Sequence, residues 1–119
     1  VLVVASPLTR CLETAQLAIG ASNARVVCHE AVREACGVHQ PDRRRSRAEL
    51  RRRFPDVDFE LAMDTDEDAS WRPDRREKVD DVRIRVQRFL LWLTTVDVAA
   101  NSTSSPPRRR DDDLSPKVA

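Results

Sequence analysis

The stretch Val1-Leu2-Val3-Val4-Ala5-Ser6-Pro7-Leu8-Thr9-Arg10-Cys11-Leu12-Glu13-Thr14-Ala15 decides the fold. Val1 to Ala5 is a continuous apolar run rich in β-branched residues, the pattern of a strand buried on both faces of a parallel sheet, and it reads as a central strand. Ser6 supplies an N-cap hydroxyl and Pro7 stands at a first helical position. Leu8, Cys11, Leu12, Ala15, Ala18 and Ile19 then recur at helical spacing up to Gly20. The segment is therefore strand, tight turn, capped helix.

A second apolar stretch, Arg25 to Cys28, follows a Gly-Ala-Ser-Asn loop, so strand, helix and strand form one right-handed crossover of an α/β sheet. After a loop from Ala35 to Arg45, Ser46 and Glu49 make the S-x-x-E capping box of a short basic helix that Phe54-Pro55 ends. The acidic stretch from Asp64 to Asp68 lacks periodicity and reads as an ordered loop leading to Trp71. From about Lys78 to Leu93, the positions Val79, Val82, Val86, Phe89, Leu90 and Leu93 fall on one stripe and predict the longest helix. From Asn101 the sequence turns to N-S-T-S-S-P-P-R-R-R-D-D-D-L-S-P, so residues 96–119 are expected to be a disordered low-complexity tail.

The 119 residues leave room for one domain or part of one. Hydrophobic residues make up 40% and charged residues 34%, and no apolar run approaches the roughly 20 residues of a membrane span. The net charge of +1 hides a split: Asp42 to Arg53 carries seven arginines against two acids, and Asp56 to Glu77 carries nine acids against three arginines. The two stretches could neutralise each other in space. Three cysteines, Cys11, Cys28 and Cys36, form no C-x-x-C pair and leave an odd thiol, which fits free thiols in a reducing cytosol and a cytoplasmic protein. Cys36 and His39 have a C-x-x-H spacing, but no known ligand pattern completes it, so no metal site is expected.

Arg10 lies in the first turn of a helix at the carboxyl end of a parallel strand, where open α/β sheets bind ligands. Orphan backbone N–H groups and the helix dipole favour an anion there, and a guanidinium adds a planar fork for two phosphoryl oxygens. The expected ligand is a phosphate. On the residues alone, the better reading of Arg10 is a solvated surface side chain, and that of Glu34 an ion-pair partner of Arg33 or of a loop arginine.

S-P-L-x-R-x-x-x-T-A, here Ser6 to Ala15, resembles the second motif of the phosphoglycerate-mutase-like (histidine phosphatase) superfamily. Arg33-Glu34-Ala35-Cys36-Gly37-Val38-His39-Gln40-Pro41-Asp42-Arg43-Arg44-Arg45-Ser46 is similar to the R-E-x-x-G-V-H-x-x-D-x-R-R-S stretch of its plant-type members. Phe54-Pro55-Asp56-Val57-Asp58-Phe59, the acidic run into Trp71, and Phe89-Leu90-Leu91-Trp92-Leu93 continue in the same order, so the resemblance covers residues 1 to about 95. It implies that residues 1–95 are part of a three-layer α/β/α domain with a parallel central sheet.

The resemblance further implies that Arg10 binds the substrate phosphoryl group and that Glu34 protonates the leaving-group oxygen, with Glu30 the nearest rival. A carboxylic acid acting near neutral pH needs its proton held by burial or by nearby negative charge, which a phosphate-loaded pocket supplies. The family's nucleophile is a histidine of an R-H-G motif, and a second histidine sits in a motif like S-H-G-G. His29, in V-C-H-E, and His39, in G-V-H-Q, match neither. The expectation is an internal piece of a cofactor-independent phosphatase that acts on a small phosphorylated substrate through a phosphohistidine.

The segment after Glu34 does not look like the E-R-H-Y-G pattern of true mutases, which favours hydrolysis. The competing reading is a truncated, inactive phosphate-binding chain: two recognisable strands would leave exposed edges, marginal folding and no turnover. A third is a nucleic-acid-binding module built on Arg43 to Arg53. It is disfavoured because no aromatics interleave the arginines and acids follow at once.

Overall fold

The computed structural model describes residues 1–103 and side-chain environments through Val96. Its elements are β1 (Leu2–Ala5), α1 (Thr9–Ile19), β2 (Arg25–His29), α2 (Arg47–Arg53), β3 (Val57–Ala62) and α3 (Val79–Thr103), with short 3-10 turns at Glu30–Val32 and Gln40–Asp42. The strands form one parallel sheet in the order β1-β2-β3. The mixed α/β class and the parallel sheet are those expected.

The sheet centre is β2, where Val27 and Cys28 are wholly buried. β1 pairs with β2 in the register Leu2 to Arg25 through Ala5 to Cys28. Among the described residues β1 is an edge strand and not the central one. Leu2, Val3 and Val4 are accordingly half-buried, and Ala5 alone is buried.

β3 has no counterpart in the sequence reading. Val57, Phe59 and Leu61 alternate with Asp58 and Glu60, which is the pattern of a strand with one wet face. Acidic residues are poor strand formers and dilute the apolar count. Phe59 is buried, Leu61 is exposed, and Asp58 uses its outward carboxylate on Arg25 at 3.2 Å. The third strand corrects the expectation of a two-stranded remnant.

One apolar cluster joins Ala5, Leu12, Cys28, Leu50, Phe54, Phe59 and Met63, with Ala15, Val26 and Val57 packed against it. It gathers α1 and α2 on the sheet face that carries Val26 and Cys28. Leu12, Leu50 and Phe59 are each almost fully buried, and burying such a side chain contributes about 1.5–3 kcal/mol.

α1 starts two residues later than expected. Leu8, 2% exposed, is held in extended backbone by its burial and becomes the N-cap; the Ser6 hydroxyl accepts the Leu8 N–H at 3.4 Å. Arg10 is thus the second residue of the helix. In α2 the Ser46 hydroxyl does cap, accepting the Glu49 N–H at 3.1 Å, but the Glu49 carboxylate takes Arg45 at 2.9 Å and does not close the box. Asp66 supplies the second cap by accepting the Ala48 N–H at 2.9 Å.

α3 runs from Val79 to Thr103, past the expected end near Leu93, so the stretch 96–103 is helical; the remainder of the anticipated tail, 104–119, lies outside the described residues. Its inward stripe is also rotated. Val82, Phe89, Trp92, Leu93 and Val96 are buried or half-buried, whereas Val79, Val86, Leu90 and Leu91 face outward. Among the described residues no helix is long and apolar enough to cross a membrane.

Candidate active site

Arg10 sits where the sequence placed it, in the first turn of α1 beyond the carboxyl end of β1. Of the first-turn amides of that helix, that of Cys11 donates to the Leu8 carbonyl at 2.9 Å, and those of Thr9 and Arg10 have no partner within the helix. The Arg10 side chain is half-exposed at 51% and is not loose: Nη1 donates to the Pro41 carbonyl at 2.7 Å and Nη2 to Asp42 Oδ1 at 3.0 Å. The other carboxylate oxygen, Asp42 Oδ2, accepts from Arg76 Nη1 at 2.8 Å. The hydrogen bond from Arg76, working against burial and reinforced by Arg10, holds the Asp42 pKa below the usual carboxylate range.

Beside this group lies a denser one. Arg33 and Asp68 are 3% and 2% exposed in their side chains and make a two-pronged pair at 2.9 and 2.6 Å. Arg33 also reaches Glu30 at 3.1 Å and the Asp42 carbonyl at 2.8 Å. Burial opposes the charge on Asp68. The Arg33 hydrogen bonds, together with the Arg44 and Ser70 backbone amides, prevail and bring its pKa down to about 2. Arg44 is fully buried, with Nε on Glu30 at 2.8 Å and its two terminal nitrogens on the carbonyls of Arg45, Thr65, Asp66 and Glu67. The basic segment is mostly an exposed, ion-paired face: Arg43, Arg45, Arg51, Arg52 and Arg53 are exposed, Arg51 and Arg47 pair with Glu60, and within the segment Arg44 alone is internal.

Glu34 is exposed. Its carboxylate accepts the Ala35 N–H at 2.9 Å and makes no ion pair among the described residues, so neither Arg33 nor a loop arginine holds it. No hydrogen bond joins it to Arg10. The two are connected through Arg33, next to Glu34 in the chain, whose guanidinium grips the Asp42 carbonyl. Glu30 has both oxygens committed to guanidiniums, Arg33 and Arg44.

A cavity of about 380 Å³ opens at the carboxyl ends of β2 and β3, bounded by His29, Ala62, Arg88, Phe89 and Trp92 among others. The His29 ring stands edge-on to Phe89 and Trp92, at 5.1 and 4.3 Å between centroids. Its Nδ1 accepts the Ala31 N–H at 2.9 Å, and burial lowers its pKa, only partly offset by Glu30 and Asp64. His39 is exposed, and its carbonyl accepts the Trp71 indole N–H at 2.9 Å. Neither histidine is bonded to Arg10. Among the described residues no group of three or more His, Cys, Asp or Glu side chains is placed to hold a metal.

Sequence reasoning found Arg10 and passed over Asp42, Arg76 and Asp68. Asp42 lies in a motif already quoted, but its partners are 32 and 34 residues away, and no spacing rule names them.

A three-stranded parallel sheet with helices, and a half-exposed arginine just beyond the carboxyl end of one strand, defines an α/β domain. Residues 1–101 match the family model of the histidine phosphatase superfamily (branch 1), and the chain belongs to that superfamily. It is similar to three proteins of Arabidopsis thaliana. It is 41% identical over 70 residues to phosphoglycerate mutase-like protein 1, covering 59% of this chain and 24% of that protein. It is 46% identical over 59 residues to phosphoglycerate mutase-like protein 2, covering 50% and 17%, and 41% identical over 66 residues to a phosphoglycerate mutase-like protein, covering 56% and 24%. The chain thus spans a quarter or less of the length of these relatives. No solved structure gives a significant match.

Proposed function

We propose that the domain to which this chain belongs is a phosphatase that hydrolyses phosphomonoesters through a phosphohistidine. The observation that carries this reading is the Arg10 guanidinium, half-exposed beyond the β1 carboxyl end and oriented by Asp42 and the Pro41 carbonyl, on a chain of the histidine phosphatase superfamily. Arg10 holds the phosphoryl oxygens. A histidine supplied by residues other than His29 and His39 attacks phosphorus, the ester P–O bond breaks, and Glu34 gives its proton to the departing oxygen. Glu34 then takes a proton from the water that cleaves the phosphohistidine. Glu34 makes no ion pair among the described residues, which leaves its carboxyl group free to meet the leaving oxygen.

The positions of His29 and His39 favour a second reading for these residues by themselves. With the His29 ring edge-on to Phe89 and Trp92 and neither histidine bonded to Arg10, the described residues bind a phosphoryl group at Arg10 without turning it over.

The test is competition by inorganic phosphate or vanadate against a generic phosphomonoester in the full-length protein. Arg10→Ala is expected to weaken competition at least tenfold, about 1.4 kcal/mol of lost contact. Glu34→Gln is expected to lower kcat with little change in phosphate affinity. Unchanged binding and turnover in Arg10→Ala would overturn the assignment.

A further inference from the structure

We infer that Arg76 is a second ligand of the phosphoryl group, held beside Arg10 by Asp42; this rests on the reading of Arg10 as a phosphate-binding residue. Sixty-six positions separate the two arginines in the chain, yet they grip opposite oxygens of one carboxylate, at 3.0 and 2.8 Å. Asp42 is 10% exposed in its side chain, whereas Arg10 and Arg76 are 51% and 36% exposed. The acid is therefore tucked beneath, and the two guanidiniums present their outer edges to solvent. The trio carries a net charge of +1 with Asp42 ionised, so the cluster keeps a surplus positive charge at the surface that an anion would meet.

The donors are also in place. A guanidinium has five N–H groups in a rigid fork. Arg76 uses Nη1 for Asp42 and, at 3.0 Å, for the Gly37 carbonyl; its Nη2 and Nε make no hydrogen bond among the described residues. Arg10 likewise keeps Nε unengaged. Two open guanidinium edges match the several acceptor oxygens of a phosphoryl group better than one does.

A specific clamp delivers Arg76. The segment Cys36–Val38 is bonded to the segment 72–77 by Val38 N–H to the Arg72 carbonyl at 2.8 Å, by Glu77 N–H to the Cys36 carbonyl at 2.7 Å, and by Cys36 N–H to Glu77 Oε1 at 3.0 Å. The approach is so close that a Cβ on Gly37 would lie 2.0 Å from the Arg75 carbonyl oxygen, and Gly37 has φ +103°. Only glycine fits there. The backbone of residue 75 is thereby pressed onto the loop, and the next side chain is set against Asp42.

Phosphate protection of arginines from phenylglyoxal, read residue by residue by mass spectrometry on the unmodified full-length protein, tests the inference without a folding risk. Inorganic phosphate is expected to slow modification of both Arg10 and Arg76 at least fivefold and to leave Arg83, 62% exposed on α3, unaffected. Protection of Arg10 with Arg76 reacting at an unchanged rate overturns the role of Arg76 and leaves the Arg10 site standing. Protection of neither overturns both. As a second arm, Arg76→Gln is expected to weaken phosphate binding about tenfold and Arg76→Lys to restore part of it. An equal loss in the two variants with Arg76 unprotected would mark a purely structural arginine.

Discussion

Replacing Asp68 with alanine is the sharpest perturbation of this fold. Its carboxylate accepts five hydrogen bonds: Arg33 Nη1 at 2.9 Å and Nη2 at 2.6 Å, and the amides of Arg44, Ser70 and Trp71 at 3.0, 3.1 and 3.1 Å. Asp68→Ala leaves the Arg33 guanidinium, 3% exposed, with only the half-buried Glu30 carboxylate and the Asp42 carbonyl, while Arg33 Nε already has no partner. Removing one member of a buried pair costs about 3–5 kcal/mol because the charge left behind has lost both water and partner. That is a large share of the roughly 5–15 kcal/mol that holds a domain folded. With a urea slope of about 1–3 kcal/mol/M, the unfolding midpoint should fall by roughly 2 M. The control is Asp80→Ala, which breaks an exposed pair with Arg83 at 2.6 Å and should change stability by less than about 0.5 kcal/mol. Arg33→Met with Asp68→Leu should recover more than half of the loss, since neither member of the pair is then left as a stranded charge. A loss below about 1 kcal/mol for Asp68→Ala, comparable to that of Asp80→Ala, would refute the reasoning.

Acid should unfold the protein along the same contact. The Asp68 pKa is depressed from 3.8 to about 2, so its contribution is complete above pH 4 and lost as pH falls from about 4 to about 2; it amounts to about 2 kcal/mol, and Asp68→Asn should flatten that limb of a stability–pH curve. Gly37→Ala should cost more than about 1 kcal/mol, because the new Cβ meets the Arg75 carbonyl oxygen and the φ of +103° disfavours a side chain. Its melting temperature should drop, and no drop would mean that the clamp is loose. Cys28 and Cys36 are buried, and burial pushes both thiols up, whereas Cys11 is half-buried. A disulfide reagent at neutral pH should titrate one thiol quickly and the other two only in denaturant, and three equal rates would contradict this packing.

The sequence made the β1 to α1 passage readable because an apolar β-branched run, a proline and a helical stripe stand side by side within twenty residues. Each is a local signal. It also placed Arg10, since position relative to the strand end is itself local. It hid β3, whose Asp58 and Glu60 alternate with Val57, Phe59 and Leu61. It misplaced the inward face of α3, because that helix is apolar on more than one side: Leu90, expected to face inward, is 54% exposed, and Val96 is 7% exposed. The ion pairs of the site were illegible for a different reason. In a chain with 21 basic and 20 acidic residues, composition cannot tell which arginine meets which acid. Arg44 reads as one basic residue among seven, and only the fold shows that it is fully buried.

These pairs explain how a loop with so little regular structure keeps its shape. Between Arg33 and Ser46 the chain has one short 3-10 turn and few apolar anchors. Its shape is set by a sequence of bonds. Arg44 draws in the carbonyls of residues 65, 66 and 67, and Asp68, next along that loop, fixes Arg33. Arg33 fixes the Asp42 carbonyl, and the Asp42 carboxylate fixes Arg10 and Arg76. A buried charge network of this kind stabilises little relative to a well-packed apolar one, yet it penalises alternative positions, because every displaced member strands a charge. The arginine-rich segment contributes Asp42 and Arg44 to that network, and the acidic segment contributes Asp68 and Arg76. Their opposed charges, which cancel in the whole chain, have here a structural use: they hold the loop that carries Glu34 and Asp42 over the open end of the sheet.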